Sequence, residues 1–70
     1  MKDFLEVIRE FEGFREDVEE MAHFMIQKGG MEGALYTARA IEVQSIEEDF
    51  LRGFFFGEVA SEIIKTHMLN

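Results

Sequence analysis

Residues Phe4–Lys28, FLEVIREFEGFREDVEEMAHFMIQK, decide the fold. Phe4, Phe11, Val18 and Met25 stand seven apart, and Val7, Phe14 and Met21 fill the second seam position between them. An a/d stripe kept for more than three heptads marks a helix, because strand side chains alternate with period two instead. Ile8 and Ala22 widen the stripe, while Arg9, Glu12, Glu16, Glu19, Glu20 and His23 take the opposite face. Asp3 followed by Glu6 reads as a capping-box-like start, with both acids at the positive end of the helix dipole. At the other end Lys28 is followed by Gly29-Gly30, a C-cap and turn signal. A helix over about 3–28 is therefore expected. Gly13 is its weak point, worth about 1 kcal/mol against Ala, and a place for a kink.

Downstream of the glycine pair a shorter helix is expected over about 32–44. Met31, Ala34, Leu35, Ala38 and Ile41 share one of its faces, and Tyr36, Ala40 and Val43 form a second apolar strip on the far side. Two apolar strips imply more than one neighbour for this segment. A third helix is expected over about 46–69. Ser45 followed by Glu48 fits the S-x-x-E capping box, Glu47, Glu48 and Asp49 crowd the first turn, and Lys65 and His67 lie near the end that favours cations. Its apolar face holds Ile46, Phe50, Phe54, Ala60, Ile64 and Met68, extended by Phe56, Val59 and Ile63. Gly53, Gly57 and Ser61 follow at four-residue spacing, which lets another backbone come close.

These segments predict an all-α fold, a three-helix bundle made of two long helices and a shorter middle one, in one domain spanning 1–70. The alternative joins the second and third segments into one continuous helix. That gives a helical hairpin that must dimerise into a four-helix bundle to cover its apolar surface. Ser45 as an N-cap favours the break.

Composition narrows the function. Of 70 residues, 47% are hydrophobic, eight are Phe, and none is Pro or Cys. A chain this short buries only about 60% of its unfolded surface, and without Cys neither a disulfide nor a Cys-based zinc site can add stability. The net charge of −8 repels phosphate backbones and anionic lipid, which excludes nucleic acid and membrane surfaces as expected partners. No window approaches the ~20 apolar residues of a membrane span. The N-terminus meets Asp3 before any apolar run of signal-peptide length. Cytoplasmic location is expected.

Chemistry-bearing groupings are sparse. Glu20-Met21-Ala22-His23 places a carboxylate and an imidazole one turn apart, the spacing by which di-iron carboxylate bundles bind metal. That class needs inward-pointing ligands, whereas the heptad puts Glu20 and His23 outward. The string Phe50-Leu51-Arg52-Gly53-Phe54-Phe55-Phe56-Gly57-Glu58 is similar to the signature helix of LAGLIDADG homing endonucleases. In that family small residues let two helices pack tightly and a terminal acid, at the place of Glu58, binds the catalytic metal. Phe56 replaces a usual acid and Val59 a usual glycine, and no strand pattern follows, so no function is carried over. Ser45 and Ser61 lack a triad setting, and Gly29-Gly30-Met31-Glu32-Gly33 lacks the Lys and strand of a phosphate loop. A helix-turn-helix reader would need a basic recognition helix, and the third segment offers only Arg52 and Lys65 among acids and Phe.

The expected function is a small non-enzymatic protein-interaction module, an adaptor or a homo-oligomer, without a cofactor. Its partner would be another protein or itself, a homodimer included. On the third helix Leu51, Phe55 and Leu69 fall on the same side as Glu47, Glu58, Glu62 and Lys65. That strip is either an interaction surface or, where a neighbouring helix covers it, core. Two other readings stand beside this one: an acidic mimic that occupies a nucleic-acid-binding protein through Glu12, Glu16, Glu19 and Glu20, and a metal-binding helix using Glu20 and His23.

Overall fold

One glycine reverses the chain without a loop. Gly30 adopts φ 76°, ψ 175°, a conformation that a Cβ would strain, and joins two helical arms at a sharp bend. The computed structural model describes residues 4–69. The Asp3 cap and the side chains of Phe4, Glu12 and Leu69 lie outside the described residues. The elements are α1 (Phe4–Glu10), α2 (Glu12–Ser45, bent at Gly30) and α3 (Phe50–Leu69), with no strand among the described residues. The all-α three-helix bundle is thus the fold, its three long rods being the two arms of α2 and α3.

Contacts give the directions of these rods. Phe14, early in the first arm, stacks on Phe54 with ring centroids 5.7 Å apart and meets Phe55 edge-on at 5.9 Å. Arg15 donates to Glu62 at 2.7 Å, and Met31, just past the end of the first arm, lines a groove with Ile63, Ile64 and His67 near the end of α3. The first arm and α3 therefore run the same way. Glu42 and Ile46, at the end of the second arm, lie against Gly53 near the start of α3, so that pair is antiparallel. The core comprises Val18 and Ala22 from the first arm, Ala34 and Ala38 from the second, and Val59, Ala60 and Ile63 from α3. Four of these seven are Ala, so the rods come close but bury little volume. Phe14, Phe55 and Phe56 pack at the margin of this core, and no described Phe is fully buried.

Three boundaries differ from the sequence reading. The first helix does not run unbroken over 3–28: it breaks at Phe11 (φ −65°, ψ 127°), while Gly13 stays helical. Because Phe14 stands level with Phe54, a straight continuation would carry the seven residues of α1 about 10 Å along the axis, past the start of α3 at Phe50 and away from anything to pack on. The break instead brings Arg9 over the Phe54 ring at 5.2 Å and to Glu58 at 2.9 Å. Second, Ser45 does not cap α3. It is the last residue of α2, buried, and its carbonyl accepts from the N–H groups of Glu48 and Asp49. Asp49 is the cap: its side chain accepts from the Arg52 N–H at 3.2 Å, and α3 starts at Phe50 rather than at 46. The reason is chain reversal, since an antiparallel helix pair needs a loop of about 2–5 residues. Ile46–Asp49 supply it, which also rules out the continuous second-and-third helix of the hairpin alternative. Third, the middle helix extends to Ser45 and begins directly after Gly30.

Candidate interaction face

The second arm of α2 shows its packing by residue type. Ala34, Ala38 and Ser45 are buried against the other rods. At 100° per residue, Gly33, Tyr36, Thr37, Ala40, Val43 and Gln44 fall within an arc of about 120° on the opposite side. Tyr36 is 78% exposed and Val43 71% exposed. None of these six residues is charged, in a chain of which 31% is Asp, Glu, Lys and Arg. The outward side of the first arm differs sharply, with Glu16, Asp17, Glu19, Glu20 and His23 all exposed. On α3 the exposed positions include Arg52, Lys65 and His67. Along one border of the uncharged face runs Arg39, whose Nη1 donates to Glu42 Oε1 at 2.9 Å. The apolar exposure continues past the end of the arm into Ile46, Phe50 and Leu51.

The residues expected to form an interaction strip on α3 have separate settings. Leu51 is 52% exposed. Phe55 is half-buried, edge-on to both Phe14 and Phe56, and lines a groove of about 430 Å³ with Asp17, Glu20, Met21 and Phe24. Leu69 closes the same helix eighteen residues beyond Leu51, and its side chain lies outside the described residues. The strip of Tyr36, Ala40 and Val43 was visible in the sequence as a face seeking a second neighbour. Within the chain, Tyr36 and Val43 stay exposed.

Among the ion pairs, Arg9–Glu58 and Arg15–Glu62 tie different elements together, while Arg15–Glu19 and Arg39–Glu42 lie within α2. Arg15 reaches Glu62, whose side chain is only 14% exposed, and also Glu19 at 3.6 Å. Arg9, Arg39, Glu42 and Glu58 rim a groove of about 330 Å³ floored by Ile46, Phe50 and Phe54. Glu20 and His23 are both exposed, and the Gln27 amide nitrogen stands 3.2 Å from His23 Nε2. No group of three or more His, Cys, Asp or Glu able to hold a metal ion occurs among the described residues. Among them, too, no helix is long and apolar enough to cross a membrane. No family model matches the chain, and neither a curated protein nor a solved structure matches it.

Proposed function

We propose that this chain is a non-enzymatic protein-interaction module, operating in the cytoplasm, that docks through the outer face of the second arm of α2. One observation carries the reading: the exposed pair Tyr36 and Val43 lies on a face without charge in an otherwise charge-rich molecule. Isolated exposed apolar residues are ordinary on a protein surface. A helix face that is free of charge and exposes Tyr and Val has the composition of an interface centre, where charged residues are depleted and Tyr enriched. Small Gly33 and Ala40 between the larger side chains let a partner's backbone come near.

The test is the native particle size, read by gel filtration of an extract of cells that produce the protein. Tyr36→Glu and Val43→Glu put a charge on the face without touching the core, and the particle should shrink while helix content is kept. Reversal of the acidic face by Glu16→Lys with Glu20→Lys should leave the size unchanged. The opposite pattern would sink this reading and favour the acidic mimic.

A further inference from the structure

We infer that α1 is a hinged strap with two arrangements. In one it folds back towards α3 and is held by Arg9; in the other it swings out at Phe11 and lengthens the first arm of α2. The strap needs neither Tyr36 nor Val43, so it stands apart from the docking face.

The joint is a single residue. The Phe11 N–H closes α1 on the Ile8 carbonyl at 3.2 Å, and the Phe11 carbonyl opens α2 by accepting from Phe14 at 3.1 Å and Arg15 at 3.4 Å. Phe11 itself takes φ −65°, ψ 127°. Its φ is already helical, so a change in ψ alone would fuse the two helices. The sequence keeps the fused register. Val7, Phe11, Phe14 and Val18 follow at spacings of four, three and four, and residues 10–12 are Glu-Phe-Glu, without a Gly or Pro to enforce a stop.

Electrostatics hold the folded-back form. Arg9 Nε donates to Glu58 Oε1 at 2.9 Å, and its guanidinium carbon lies 5.2 Å from the centre of the Phe54 ring. Among the described residues no Cα of α1 comes within 8 Å of α3, so the strap reaches that helix through side chains. Ile8 is half-buried, but Val7 is 45% and Phe11 63% exposed, so these two lose little cover on swinging out. Helix physics selects the second form once the clasp opens. Nucleation is costly and isolated helices shorter than about 12–15 residues are marginal in water, whereas α1 has seven. Joined to the first arm, the same residues extend an existing helix and need no new nucleus. The rod gains about two turns, and Phe54 and Glu58 lose their Arg9 cover.

The experiment reads the Cα carbon-13 shift of Phe11 by NMR in the whole chain, because that shift follows ψ. At low salt it should lie on the extended side of the random-coil value. Arg9→Gln should raise the swung-out population at least tenfold, move the shift to the helical side, and slow exchange of the Gly13 amide, which then donates to the carbonyl of residue 9. In 1 M NaCl, where the screening length falls to about 3 Å, the wild type should move the same way. Glu12→Pro is the control. Proline is tolerated at the first helical position and keeps the residue before it extended, so this variant holds α1 folded back. In Arg9→Gln combined with Glu12→Pro neither form is open to α1, and the shifts of Val7–Glu10 should fall to random-coil values. Any of three results overturns the hinge: an extended Phe11 shift retained in Arg9→Gln, loss of the α1 helix in Arg9→Gln alone, or a helical α1 in the double variant.

Discussion

Two glycines on one face of α3 should respond oppositely to alanine. Gly53 and Gly57 are one turn apart, and both face the second arm of α2. In an unconstrained helix interior either substitution stabilises by about 1 kcal/mol. A Cβ on Gly53 would stand 3.1 Å from the Ile46 Cα, 3.2 Å from the Ile46 nitrogen and 3.3 Å from the Glu42 carbonyl oxygen. All three are backbone atoms of the closing turn of α2, so relief requires moving that turn away from α3. Overpacking of this kind costs about 1–3 kcal/mol, which leaves Gly53→Ala destabilised by about 1 kcal/mol. A Cβ on Gly57 would meet Glu42 Oε2 at 2.7 Å and its Cδ at 3.2 Å. These belong to the end of a flexible side chain, which can swing aside. The loss is then the partly exposed Arg39–Glu42 pair, worth about 0.2–1 kcal/mol, so Gly57→Ala is neutral or more stable by up to ~1 kcal/mol. The two variants thus differ by about 1.5 kcal/mol, or about 6–12 °C in melting temperature for a domain of this size. Thermal unfolding by circular dichroism at one fixed protein concentration reads this directly. If Gly53→Ala melts at or above Gly57→Ala, the close approach at Ile46 is not there and the packing argument fails.

Other substitutions test the boundaries and the ties between rods. Gly30→Ala should cost about 1–3 kcal/mol because of its positive φ, whereas Gly29→Ala meets only the Ala34 nitrogen at 3.8 Å and should be neutral or stabilising; urea unfolding of the two variants measures the contrast. Asp49→Ala should lose about 1 kcal/mol as the cap of α3, while Ser45→Ala should stay within about 0.5 kcal/mol; equal losses in chemical denaturation would contradict the assignment of the cap. A double-mutant cycle on Arg15→Ala and Glu62→Gln should give a coupling of about 0.5–1 kcal/mol that shrinks in 0.5 M salt, and a coupling indifferent to salt would mean that the pair acts through packing instead.

Much of the architecture was legible because it is written in local chemistry. The heptad through Val18, Met21 and Met25 places those residues in or against the core, and the glycine pair marks the reversal after the first arm. The same periodicity misleads before Phe14. Phe11 holds a seam position and yet is 63% exposed, because α3 starts at Phe50 and offers nothing for a longer straight helix to pack on. That limit belongs to a partner helix forty residues away and leaves no mark in the residues around Phe11. The cap of α3, expected at Ser45, falls at Asp49 for a similar reason. Ser45 and Asp49 can each cap a helix, and the need for a reversing loop between close-packed antiparallel rods selects Asp49.

The candidate face divides in the same way. Sequence alone determined that the chain is helical, that it turns at Gly29-Gly30, and that one segment has apolar residues on two sides, because propensity, period and turn chemistry act within a few residues. Tertiary structure decided which apolar strip stays uncovered. A helical wheel gives the angles between side chains of one rod but not the direction from which the other rods approach. Here Phe14 comes to rest against Phe55 and draws that residue to the core margin. The first arm of α2 and α3 pack on Ala34 and Ala38, and Tyr36 and Val43 are left facing solvent.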